Sequence, residues 1–166
     1  MAPSDLRVQF IHGLEGSPRG RKARMLAESF ETRTPEMDTS DFEACVETQA
    51  RVRAELRPDV VVGSSFGGAV AVALLQRGVW SGPTLLLAPA ALRYDPDARL
   101  PESVPVWIVQ GRQDDVIDPE DSRRLARTGS PDRVRLIEVE DDHSLSRSVA
   151  SGRLVEWVEA LGRDRA

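Results

Sequence analysis

Short runs of Val, Ile and Leu alternate along this chain with stretches whose apolar residues recur every three or four positions. The runs predict strands at residues 6–11, 59–62, 84–88 and 104–110. They are nearly continuous in apolar character, as strands buried on both faces are. Two weaker strands are expected. Residues 32–37 contain Pro35, which suits a sheet edge, and residues 134–139 carry Arg135 and Glu138, which suit the other edge. Helices are predicted at residues 21–31, 41–56, 66–77 and 119–127. The helix at 41–56 has Ser40 before it and Glu43 three residues on, the pattern of a capping box. The helix at 119–127 starts with Pro119 behind Asp118, a cap followed by a residue preset for the first turn. Leu154, Trp157, Val158 and Leu161 give a closing helix one apolar stripe.

This βαβα rhythm predicts a mostly parallel sheet of about six strands with helices on both faces. Edges at the second and sixth strands give the order 2-1-3-4-5-6. Direction then reverses between strands one and three, and ligands of open α/β sheets bind at the C-terminal ends of such a switch point.

Length and charge narrow the picture. A chain of 166 residues is expected to form one domain, 1–166. Its charge of −5 comes from interspersed acids and bases with no basic stripe, so no nucleic-acid partner is expected. No apolar run is long enough for a membrane span, and the first ten residues do not read as a signal peptide. One cysteine, Cys45, excludes an internal disulfide and fits a reducing cytoplasm. Of the 22 basic residues only Lys22 is lysine, a bias that suggests a GC-rich bacterial source.

The chemistry gathers in four loops. Gly63-Ser64-Ser65-Phe66-Gly67 matches G-x-S-x-G between a strand and a helix, the setting of a nucleophile elbow, which makes Ser65 the candidate nucleophile. A serine hydroxyl needs a base, and the base needs an orienting acid. In elbow enzymes these follow in the order Ser, Asp or Glu, His. His143 follows the last strand; His12 precedes the serine and is expected to shape its own loop instead. The loop after strand 104–110 offers Asp114, Asp115 and Asp118. Asp118 is taken as the helix cap and Asp114 as the acid, with Asp115 a solvated neighbour. The oxyanion of an acyl-transfer intermediate needs backbone N–H donors, assigned to Phe66 and Leu14.

These segments resemble the α/β-hydrolases, and among them the very small bacterial esterases with an H-G-x-x-S-S-P-x-x-x-K-A opening. The matching residues are His12-Gly13-Leu14-Glu15-Gly16-Ser17-Pro18 with Lys22-Ala23, Gly63 to Gly68, Ala88-Pro89-Ala90, Gln113 to Asp118 and Asp142-His143-Ser144. Gly16 departs from the more usual serine. The resemblance implies a minimal α/β-hydrolase fold, ester hydrolysis with no metal or organic cofactor, and an acid loop in which Asp114 holds the place of the acid. Residues 89–103 are too few for the helical cap of larger relatives, so an open, shallow site for a small-molecule ester is expected. Thioester or amide hydrolysis would use the same triad, and a binding module that kept the fold without turnover is the alternative from another class. Cys45 and Trp107 are expected in the core, and Tyr94 is a candidate lining residue.

Overall fold

The computed structural model describes residues 5–163. Strands β1 (Arg7–Ile11), β2 (Glu31–Arg33), β3 (Val60–Ser64), β4 (Thr84–Leu87), β5 (Val106–Gly111) and β6 (Val134–Val139) form one sheet in the order β2-β1-β3-β4-β5-β6. Every adjacent pair is parallel. This is the order that the edge argument predicts.

Alternation along the strands sends side chains into two cores. Val61, Leu86, Val106 and Ile108 join one apolar cluster with Val46 of helix α2 (Phe42–Leu56), Val70 and Leu74 of α3 (Phe66–Gln76) and Leu125 of α5 (Pro119–Arg127). Val60, Val62, Leu85, Leu87 and Val109 point the other way. They pack with Leu26 of α1 (Arg21–Ser29), Val149 of α6 (Ser146–Ala150) and the Leu154-Trp157-Val158-Leu161 stripe of α7 (Arg153–Gly162). Each such aliphatic side chain contributes about 1.5–3 kcal/mol by leaving water. Both faces of the central strands are used, which is why their sequences show no polar alternation.

The structure adjusts several boundaries. Strand β2 spans three residues and ends before Pro35, whose missing N–H cannot extend the ladder. Asp41, not Ser40, caps α2: its carboxylate accepts the Ala44 N–H at 3.0 Å, while the Ser40 hydroxyl donates to Asp38. Asp118 caps α5 by accepting the Glu120 N–H at 2.9 Å. Two short helices lie outside the sequence expectation, α4 (Ala91–Tyr94) and α6. Cys45 is buried, whereas Trp107 is half-buried under the Arg135 guanidinium, 4.7 Å from its ring centre. Among the described residues no helix is long and apolar enough to cross a membrane.

Candidate active site

Strand β3 runs into α3 with a single residue between them, Ser65, held at φ 54° and ψ −113°. A positive φ is costly for a residue with a Cβ and persists only where its surroundings fix it. Here they do. The Ser65 N–H donates to Leu87 O at 2.9 Å, and its carbonyl accepts N–H groups from Gly68, Ala69 and Ala90. Small residues let α3 come this close: a methyl group on Gly67 would be driven into the carbonyl of Ile11 at the end of β1. The strained turn leaves Ser65 at the C-terminal edge of the sheet, beside the loop after β1.

Asp114 lies in the loop after β5 and is buried. Its Oδ1 accepts the backbone N–H groups of Val116 and Ile117, each at 2.8 Å. Its Oδ2 faces His143 Nδ1 at 2.8 Å and accepts from Gln110 Nε2 at 3.0 Å. A carboxylate only accepts, so Nδ1 carries the imidazole proton. Nε2 of the same ring is then the acceptor, 3.1 Å from Ser65 Oγ. Three side chains from three loops thus meet in one hydrogen-bonded line. Asp115 is exposed and takes no part.

The loop that carries His143 is fastened by Asp141. This buried carboxylate accepts backbone N–H groups of Asp142, Arg147 and Ser148. The β5 loop packs directly against it: a Cβ on Gly111 would meet Asp141 O at 2.5 Å, and the Gln113 N–H donates to that same carbonyl. Burial works to raise the Asp141 pKa, but the N–H bonds outweigh it and hold the carboxyl below its ordinary range. A depressed folded-state pKa contributes stability that is present above the unfolded value near ~3.9 and is lost as pH falls through the folded one. Asp141→Ala is therefore expected to cost about 1–3 kcal/mol at neutral pH, because three N–H groups lose their acceptor. Thermal unfolding against pH checks this: the gap between wild type and variant narrows below about pH 4.

The cleft over Ser65 encloses about 470 Å³ and is lined by His12, Leu14, Lys22, Ser65, Val116 and His143 among others. Leu14 and Val116 form an exposed apolar rim. A second depression of about 410 Å³, lined by Arg112, Glu138, Arg147 and Arg153 among others, holds none of the three linked side chains. Among the described residues the N–H groups of Leu14 and Phe66 have no hydrogen-bond acceptor. Gly13 brings the Leu14 loop close, since a Cβ there would lie 3.3 Å from Ser65 Cβ. His12 is buried with Nδ1 on its neighbour's carbonyl, Gly13 O, at 2.8 Å. Tyr94 is not at the cleft; α4 stacks it on Phe42, with ring centres 5.3 Å apart, and sets it edge-on to Phe66.

The supporting roles of Ser122, Gln110 and Asp141 escaped the sequence reading, and Lys22 entered it only as part of the matched opening. Ser122 donates to Gln110 Oε1 at 2.7 Å, and Gln110 in turn holds Asp114. The signal was an uncharged polar residue ending a buried apolar strand. Asp141 was hidden among the acids of residues 140–142. Lys22, second in α1, is half-buried in the cleft wall, and burial pushes its pKa down from the ordinary lysine value.

No protein-family model and no curated protein matches this sequence. Solved structures do match. A provisional hydrolase of the α/β superfamily from Xanthomonas campestris pv. campestris aligns at 23% identity and TM-score 0.74, over 94% of this chain and 99% of that one. An α/β serine hydrolase homologue from Coxiella burnetii aligns at 20% identity and TM-score 0.67, over 100% and 88%. Est1E from Butyrivibrio proteoclasticus aligns at 18% identity and TM-score 0.69, over 96% and 86%. The likeness at these identities is one of fold, and the chain has a minimal α/β-hydrolase fold.

Proposed function

We propose that this protein is a serine hydrolase that cleaves short-chain carboxylic esters through an acyl-enzyme. The observation that carries the reading is His143, whose two ring nitrogens lie within hydrogen-bond distance of Ser65 Oγ and Asp114 Oδ2. Ser65 attacks the ester carbonyl while His143 Nε2 takes the hydroxyl proton. The carbonyl oxygen becomes an oxyanion and is received by the free N–H groups of Phe66 and Leu14. The C–O bond to the alcohol breaks, and the alcohol leaves with the proton from Nε2. Water then attacks the acyl-serine by the same route and releases the acid. Asp114 accepts the hydrogen bond from Nδ1–H throughout, fixing the tautomer and stabilising the imidazolium. None of these steps calls on a metal or an organic cofactor.

Short acyl groups fit the cleft. Only α4 and its flanking loops separate β4 from β5, so among the described residues no cap is inserted there over Ser65, and a long chain would lie in water. The test is a series of p-nitrophenyl esters, with a fluorophosphonate probe marking Ser65. Turnover is expected to be highest for acyl groups of about two to six carbons and to fall beyond about ten, without activation at lipid interfaces. Absence of both labelling and turnover would overturn the hydrolase reading, and a preference for long chains would overturn the short-chain part of it.

A further inference from the structure

Lys22 is the single lysine of the chain and lines the same cleft as Ser65 and His143. Among the described residues its ammonium makes no hydrogen bond and no ion pair within 4 Å. The arginines of the ion pairs, by contrast, sit on the surface. A half-buried ammonium without an acceptor is an unfavourable arrangement unless something else supplies one. The acids whose fields reach it, Asp142 and Asp141, do not. Asp141 is occupied by three backbone N–H groups, and Asp142 accepts from the backbone and hydroxyl of Ser146. Their field favours the charged form of Lys22 without giving it a partner.

The surroundings repeat the pattern. Arg21, beside it, also lines the cleft, and α1 starts there with no side-chain cap and no acid in its first turn. Glu15 is the one acid lining the cleft, and it is exposed at the rim. His12 Nε2 is buried in the same wall and has no partner either. With Nδ1 donating to Gly13 O, that atom is a lone-pair acceptor. His12 Nε2 is sealed from solvent and is an acceptor, so Lys22 is the unmatched donor of this wall that an entering anion can reach.

We infer that the cleft selects esters bearing a separate carboxylate, and that Lys22 receives this carboxylate. The inference rests on the hydrolase reading above and names its substrate class. A volume of 470 Å³ spans roughly 8–10 Å, so the carboxylate lies only a few bonds from the ester carbonyl. Lys22 acts on specificity; the bond-breaking steps stay with Ser65 and His143.

Two matched ester pairs test this. Mono-4-nitrophenyl adipate and 4-nitrophenyl hexanoate differ by a carboxylate at the acyl end; 3-acetoxybenzoate and phenyl acetate differ by one in the alcohol half. For at least one pair the wild-type kcat/KM ratio, anionic over neutral, is expected to exceed one and to fall several-fold from about 20 mM to about 0.5 M salt. Lys22→Met is expected to lower that ratio about tenfold or more, chiefly through KM, and Lys22→Arg to keep most of it. Using a ratio removes any general loss of activity. Turnover of the neutral esters with neither ratio moved by Lys22→Met overturns the inference and leaves the hydrolase reading standing. Should Lys22→Met fail to fold, the wild-type ratios decide: values below one that ignore salt overturn it. Should no ester be turned over and no probe label Ser65, the hydrolase reading and the ester part of the inference fall; with turnover absent, adipate titrated into Ser65→Ala decides whether Lys22 receives a carboxylate. Binding weakened about tenfold by adding Lys22→Met supports it; absent or unchanged binding overturns it.

Discussion

Ser65→Ala is expected to leave a folded protein whose ester turnover is lower by at least about 10³-fold, the scale on which loss of a nucleophile acts. Alanine keeps the Cβ that already tolerates φ 54°, and the backbone hydrogen bonds that fix this turn do not involve the hydroxyl. What is lost is Oγ, the atom 3.1 Å from His143 Nε2. Ser64→Ala is the control for register. Ser64 is the last residue of β3, and no hydrogen bond joins its hydroxyl to His143. Its variant is expected to stay within about tenfold of wild type. Rates on p-nitrophenyl acetate, with circular dichroism to follow folding, check both. A large loss at Ser64 with activity retained at Ser65 would move the nucleophile by one residue.

That Ser65, His143 and an acid of the β5 loop would meet was legible because each stands at a change of element that the pattern itself marks; the choice of Asp114 over Asp115 came from the resemblance of the acid loop. Gly63 to Gly67 joins a β-branched run to a small-residue helix, the acid loop follows an apolar strand, and His143 is one of only two histidines. The sheet order was legible from its poor strands, Pro35 near one edge and Arg135 with Glu138 at the other. What failed was local competition between neighbours of similar propensity. Ser40 and Asp41 are both good caps, and the choice fell to Asp41 because Asp38 engages the Ser40 hydroxyl. The helices α4 and α6 span four and five residues, too short for a period to show. Helix α6 forms because Asp141, fixed by the packing of two loops, accepts N–H groups at its start. Tyr94 was misplaced for the same reason: only α4 decides which way its ring turns, and it turns to Phe42. The matched opening singled out Lys22 without saying what it touches, since a lysine in a predicted helix reads as surface until the cleft is seen around it.

Asp114→Asn is expected to keep the fold and lower kcat by about 10⁴-fold, and the reason lies in how four donors divide between its two oxygens. Oδ1 accepts from Val116 N–H and Ile117 N–H; Oδ2 accepts from Gln110 Nε2 and from His143 Nδ1. An asparagine has one acceptor oxygen and one NH₂ group. The pair of backbone N–H groups is fixed by the loop and cannot turn away, so it claims the oxygen. The NH₂ group is then left facing His143, where it meets an N–H donor. Turning the Gln110 amide would suit the new NH₂ group and the Ser122 hydroxyl, but it gives up the bond that Nε2 donates to Gly111 O and sets Oε1 against that carbonyl. The imidazole can adapt only by moving its proton from Nδ1 to Nε2. That tautomer presents an N–H to Ser65 Oγ and cannot take the serine proton. Asp115 offers the contrast: it is exposed beside the acid and touches neither the histidine nor the serine, so Asp115→Asn is expected to cost less than about tenfold. Both variants measured on one short ester decide the point, since a larger loss at Asp115 would transfer the acid's role to the neighbouring residue.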